Sequence, residues 1–375
     1  MSWLHRAATA VAAAGLLLTA ALPASASPGP ANPGQGTEHE HFANHPLRVL
    51  PQVTNTTPTG LSPATIKQAY SFPTSTLAGA GKTIAIVDAY NDPTIANDLS
   101  AFSTQFGLPA CTSTNGCFTK VNQKGGTKYP KSDSGWALEI ALDVEWAHAV
   151  APGAKILLVE ANSSSFTDLM AAEDYASAHA QYVSNSWGGA EFSGEASYDT
   201  HFNRSGVSFF ASAGDQGAPA TYPSSSPNVI SVGGTRLNFD STGALSSETG
   251  WSSSGGGCSA FETATAAQAA FSQYAQLNCA GKRATPDVSL DADPASGVSV
   301  YDSTSYNGQT GWFTVGGTSA SSPMWAARAA DTGALVNASY VYGSSVTFRD
   351  ILTGNNGNPC LTGEDLVTGR GSWVG

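Results

Sequence analysis

At 375 residues and 41% apolar content, the chain is globular, with room for one large domain and a sizeable buried core. Lys plus Arg number 16 against 28 Asp plus Glu, a formal charge of −12. That balance argues against nucleic acid and anionic membrane surfaces as partners, because both need clustered cations.

Residues 1–26 read as an export signal. Arg6 gives a positive start, Ala7 to Leu22 an apolar run, and Ala24-Ser25-Ala26 the small residues of a cleavage site. The expectation is a secreted, extracellular protein, in which disulfides are admissible. Cys111 and Cys117 close the short loop CTSTNGC, Cys258 could reach Cys279, and Cys360 is left odd. Residues 27–60, rich in Pro, Gly, Asn, Thr and His, read as a flexible leader. Glu38-His39-Glu40-His41 with His45 could bind a transition metal, but a solvated linker is the preferred reading.

Residues 61–375 read as one domain. Thr83 to Val87 (TIAIV) is a buried strand ending at Asp88, followed by a helix over Pro93–Phe106. A second helix covers Trp136–Ala149, and Lys155–Val159 (KILLV) is the next strand. Ser165 caps a helix reaching about Ala180. Tyr182–Ser186 and Val207–Ala211 are strands, with a helix near Tyr198–Arg204 between them. Continuous apolar strands alternating with helices predict an α/β fold, a mostly parallel sheet covered by helices on both faces. Ligands in such sheets sit where strands end.

Three strand ends carry polar residues: Asp88, Ser186-Trp187-Gly188 within SNSWGG, and Asp215 within AGDQG. Each alone is also explained as a turn cap. A stronger signal is Gly316-Gly317-Thr318-Ser319-Ala320-Ser321-Ser322-Pro323, just before a helix-like run from Met324 to Ala330. It places a hydroxyl at a helix N-terminus, where developing negative charge is favoured. A serine nucleophile needs a base. In the Gly135–His148 helix, Glu139 and Asp143 stand at i and i+4 and project from one face, while Glu145 lies off it. The surrounding Trp136, Leu138, Ile140, Leu142 and Trp146 predict a mostly buried helix, on which the two acids would share a proton; a solvated acidic face is the alternative.

Together these features resemble the sedolisin family, serine-carboxyl peptidases with a subtilisin-like fold. The likeness runs from about Leu61 to the end of the chain and includes the Cys258 to Cys279 region with RATPDVSLDADP. The resemblance implies Ser319 as nucleophile, Glu139 as general base, Asp143 as its partner and Asp215 as the oxyanion acid. It also implies that Asp88 belongs to the proton network, and that Ser186, Trp187 and Gly188 line the substrate strand or, through the Trp187 ring, support that network. Family members carry a long prodomain, whereas here about 35 residues separate the signal from the domain. FRDILTG and GED with Thr368-Gly369 resemble the family's calcium site, implying one structural Ca²⁺ held by Asp350, Ile351, Leu361, Gly363 and Asp365.

The expected function is thus a monomeric, secreted endopeptidase acting on protein or peptide substrates in acid. Asp215 can assist an oxyanion only as the neutral acid, and a histidine base would be protonated under those conditions. Two alternatives are a non-catalytic binding protein on a degraded peptidase fold, and a neutral peptidase using Asp88, a histidine such as His148, and Ser319.

Overall fold

The computed structural model describes residues 40–50, 56–343 and 346–374, so residues 1–26, expected to be an export signal, lie outside the described residues. A short strand β1 (Arg48–Val49) and helix α1 (Pro63–Tyr70) lead into the sheet. Next come β2 (Thr83–Ala89), α2 (Ile95–Phe106), β3 (Phe118–Asn122), α3 (Ser134–Val150) and β4 (Lys155–Ala161). They are followed by α4 (Phe166–His179), β5 (Tyr182–Asn185), β6 (Ser208–Ser212), β7 (Ile230–Phe239) and β8 (Leu245–Gly250). The last part holds β9 (Val288–Asp291), β10 (Val298–Tyr306), β11 (Gln309–Gly316), α5 (Thr318–Thr332), β12 (Phe348–Arg349) and β13 (Ser372–Trp373).

The main sheet runs β12-β13-β9-β7-β6-β5-β2-β4-β3, with β8 also on β7. Every pairing is parallel except β12 with β13 and β8 with β7. Alternation along β2 explains why both faces are covered. Ile84 and Ile86 join the core under α2, α3 and α5, while Ala85 and Val87 join the core under α4. β10 and β11 form an antiparallel hairpin beside α3, and β1 pairs with the other edge of β11.

Helix α3 is apolar on all sides and buried from Trp136 to Val150, as befits a helix enclosed within the core. It begins before the expected Trp136 because Asp133 caps it, accepting from the N–H groups of Gly135 and Trp136 at 3.0 and 3.1 Å. Glu145, off the Glu139 face, is buried as well and accepts the Tyr301 N–H at 3.0 Å. The stretch near Tyr198–Arg204 is a 3₁₀ helix over Glu195–Phe202 rather than an α-helix. Disulfides join Cys111 to Cys117 and Cys258 to Cys279, leaving Cys360 free and half-buried.

Candidate active site

Ser319 is the second residue of α5, which starts at Thr318 and not near Met324. Gly317 precedes it at φ 110°, in a region that L side chains avoid. A Cβ there would lie 2.0 Å from the Pro46 carbonyl oxygen and 2.8 Å from Asp215 Oδ2, so only glycine lets these groups converge. Pro323, inside the same helix, has no N–H for the Ser319 carbonyl. Ser186 Oγ donates to that carbonyl instead, at 3.3 Å.

Beneath α5, α3 delivers Glu139 and Asp143, and the end of β2 delivers Asp88. All three are fully buried, and no oxygen of any of them has a hydrogen-bond partner. Burial is the first cause raising each carboxyl's pKa; for Asp88 and Asp143, repulsion from the neighbouring carboxyls adds to it. Ser319 and His45, whose Nδ1 is 3.4 Å from Glu139 Oε2, pull the Glu139 pKa back down. Glu139 is therefore the readiest of the three to act as a base. The Ser319 hydroxyl stands against it, although its hydrogen bond in this structure goes to the Pro46 carbonyl, at 3.1 Å.

Asp215 follows β6 on the other side of Ser319. Its Oδ1 accepts from the Thr318 N–H at 2.8 Å and the Thr318 hydroxyl at 3.0 Å, and Arg48 Nε lies 3.6 Å from Oδ2. Burial outweighs these contacts and pushes the carboxyl up to about 8. A neutral Asp215 has a proton to donate from the free Oδ2 edge, beside Gly317.

The SNSWGG segment divides the expected roles. Trp187 is fully buried against Phe166, and its ring N–H donates to the Val87 carbonyl at 2.9 Å. It braces the strand that carries Asp88 and does not line the cleft. Gly188 does, through its backbone: its N–H and C=O pair with the C=O and N–H of Asn44 at 3.0 and 2.9 Å.

That pairing shows the main departure from the sequence reading, since residues 40–50 of the supposed linker run through the cleft. Phe42 bridges Ser165, Asn44 bridges Gly188, and Arg48–Val49 pair with Gly316 and Val315, all antiparallel. His41 stacks on Phe192 and His45 faces Glu139, so these two histidines do not gather around a common metal. A cavity of about 290 Å³ borders His45 and Pro46, its walls including Gly188, Gly189, Ala190, Ser212, Gly214 and Thr221. His45, Pro46, Arg48 and Thr318 are the site residues that sequence reasoning missed. His148 does not reach the cleft: it is buried at the far end of α3 against the Pro109 carbonyl, 2.8 Å away, and burial lowers its pKa to about 4.

The expected calcium residues are brought to one loop. Asp350 Oδ2 accepts the Gly363 N–H at 2.9 Å, and Asp365 Oδ2 the Leu361 N–H at 3.0 Å. Asp365 Oδ1 accepts from the N–H groups of Val367 and Thr368 at 2.9 and 2.7 Å, and Ile351 follows Asp350 directly. The donors are all oxygen, and each carboxylate oxygen can take more than one contact, so the set fits a hard cation in kind.

The Subtilase family profile matches residues 128–360. Kumamolisin of Bacillus sp. (strain MN-32) is 32% identical over 364 residues, covering 85% of this chain and 63% of that protein. Sedolisin of Pseudomonas sp. (strain 101) is 32% identical over 206 residues, covering 44% of this chain and 33% of that protein. The chain thus spans less than two thirds of the length of these relatives. Among solved structures, Pseudomonas sedolisin, a serine-carboxyl proteinase complexed with two molecules of pseudo-iodotyrostatin, superposes with a TM-score of 0.70 at 28% identity. That match covers 84% of this chain and 96% of the other. Sphericase shares the fold at a TM-score of 0.52 and 20% identity, covering 82% of this chain and 96% of its own. The match over residues 128–360 makes this chain a member of the subtilase family, and its relatives and fold put it on the sedolisin branch.

Proposed function

We propose that the protein is a secreted serine-carboxyl endopeptidase that hydrolyses peptide bonds in acid. One observation carries this reading: the protein's own residues 40–50 lie in the cleft as an extended peptide, with the Pro46 carbonyl on Ser319. Strand-like pairing to Gly188 on one side and to β11 on the other is what a cleft needs to hold an unfolded substrate.

In this mechanism Glu139 takes the Ser319 proton as Oγ attacks the carbonyl carbon, then returns it to the leaving amine. Asp143 and Asp88 keep the trio's total charge low and the Glu139 proton mobile. The neutral Asp215 donates to the developing oxyanion. Water then attacks the acyl-enzyme carbonyl, giving its proton to Glu139, which returns it to Ser319 Oγ as the ester bond breaks and the acid product leaves. Rising pH opposes this scheme twice, by adding a second charge to the trio and by ionising Asp215 near pH 8. Apart from His45 and Asp215, the walls beside Pro46 are small or uncharged, which favours a neutral side chain before the cut. Two disulfides suit an oxidising compartment, and no helix among the described residues is long and apolar enough to cross a membrane.

The test is incubation at pH 3 to 8, with and without a denatured protein substrate. Wild type should degrade the substrate fastest in acid and also acquire a new N-terminus at Leu47, detected by mass spectrometry. Ser319→Ala should do neither. A protein inactive at every pH, with the Pro46–Leu47 bond intact, would make this a binding module that wears a peptidase fold.

We also propose that the Asp350–Asp365 loop holds Ca²⁺, adding the Ile351, Leu361 and Gly363 carbonyls to the two carboxylates. An ion bound only by the folded state stabilises it by mass action. Excess chelator should lower the melting temperature by roughly 5 °C or more, consistent with a loss of a few kcal/mol. Asp350→Asn should carry one calcium fewer by elemental analysis; an unchanged count rules the loop out.

A further inference from the structure

We propose a second cation site, formed by Asp92, Asp98 and Asp302 and suited to Ca²⁺. Asp92, in the turn after β2, and Asp98, in the first turn of α2, meet Asp302 of the distant strand β10. One carboxylate oxygen of each lies within 4.8 Å of the other two. A Ca²⁺ ion with bonds of about 2.3–2.6 Å spans about that distance between opposite ligands.

The carboxylates are sunk below the surface, Asp92 and Asp302 at 0% exposure and Asp98 at 1%. Yet Oδ2 of Asp92 and Oδ2 of Asp302 have no hydrogen-bond partner. Their Oδ1 atoms are by contrast well served. Asp92 Oδ1 accepts from the Thr94 N–H at 2.8 Å and the Thr94 hydroxyl at 2.9 Å, and Asp302 Oδ1 from the Thr304 N–H at 2.7 Å. Asp98 is held by Ser303 N–H and Oγ and by Thr94 Oγ1. The protein thus fixes Asp98 at both oxygens and Asp92 and Asp302 at Oδ1 alone, leaving the Oδ2 atoms of the latter two bare. Burying such an atom unpaired is costly unless something else pairs with it.

Two things can satisfy the bare oxygens, a shared proton or a metal ion. Charge favours the metal ion, which can neutralise more than one carboxylate at once. Glu145, with its own unpaired Oε1, adds a fourth acidic group that interacts with all three. The neighbouring ammonium, Lys120, is committed elsewhere, to the Asn91 side chain, the Asp92 main-chain oxygen and Glu160. The donors are all oxygen, which suits Ca²⁺ and not Zn²⁺. Half-buried Thr94 and Thr304, whose hydroxyls are 2.9 Å apart, cover the cluster on the side where Ser303 is exposed, giving an ion a short way in.

The test uses the full chain carrying Ser319→Ala, so that it does not rest on the peptidase reading. Calcium is counted by equilibrium dialysis with elemental analysis near pH 6.5. The double variant Asp350→Asn, Asp365→Asn should still bind one ion, and adding Asp302→Asn or Asp92→Asn should weaken that ion at least tenfold. Asparagine keeps the Oδ1 contacts and replaces only the bare oxygen. Terbium gives a second readout, since Tyr301 adjoins Asp302 and its ring lies 5.1 Å from that of Trp312, so bound Tb³⁺ should emit on aromatic excitation. If the added variants do not fold, the double variant alone decides: one ion retained supports the site, and none overturns it. Equal binding with and without Asp302→Asn also overturns it.

Discussion

Glu139→Gln is expected to lower kcat/KM on a denatured protein by at least about 10²-fold in acid, the usual worth of a general base. The amide keeps the shape of the side chain and its place on α3 but cannot accept the Ser319 proton. Asp215→Ala should cost about 10²–10³-fold, as removal of one oxyanion donor does elsewhere. Asp215→Asn should differ informatively, because an amide donates at any pH. It should retain part of the activity and lose the decline that wild type shows as Asp215 ionises near pH 8. Glu145→Ala would be a poor control, since Glu145 is buried and bonded to Tyr301. Asp174→Asn is a better one: its side chain is 60% exposed at the far end of α4, beside His201. Equal losses in Glu139→Gln and Asp174→Asn would refute the assignment of the base.

The second large effect is on stability. Asp215 and Asp302 are pushed up to about 8, Glu160 and Glu364 to about 7, and burial is the first cause at each. Their unfolded pKa values lie near 4. A carboxyl with a raised folded pKa binds its proton more tightly in the folded state, so unfolding releases protons. The sign follows: stability from these groups is full below about pH 4 and is lost as pH rises through 7 to 8. The melting temperature of Ser319→Ala, measured in chelator so that calcium does not mask the titration, should fall by on the order of 10 °C between pH 4 and pH 8. A melting temperature that rises over that interval would mean that these carboxyls are paired as anions.

Much of this was legible in the sequence, for identifiable reasons. TIAIV and KILLV announce strands buried on both faces because such strands leave no room for polar residues. Glu139 and Asp143 stand out because two acids at i and i+4 amid Trp, Leu and Ile demand a chemical explanation. For Trp187 the sequence leaves two roles open, cleft wall or support for the proton network, and only its bond to Val87, beside Asp88, separates them. The start of α5 was set too late because Gly, Ser and Thr are poor helix formers. Tertiary packing enforces the helix there. The occupancy of the cleft by residues 40–50 had no sequence signal at all. It is made largely by main-chain bonds between Asn44 and Gly188, 144 positions apart, and backbone atoms are the same in every residue.

Pro323 has a mechanical consequence. An unbroken α5 would hold the Ser319 carbonyl within its own ladder, and the nucleophile would move only with the whole helix. Because that carbonyl is released to Ser186, the peptide carrying the nucleophile is fastened to the same short stretch that grips the incoming chain two residues later, at Gly188. On the proposed mechanism, a shift of the 186–188 stretch would carry the Ser319 peptide with it, across three residues and one hydrogen bond.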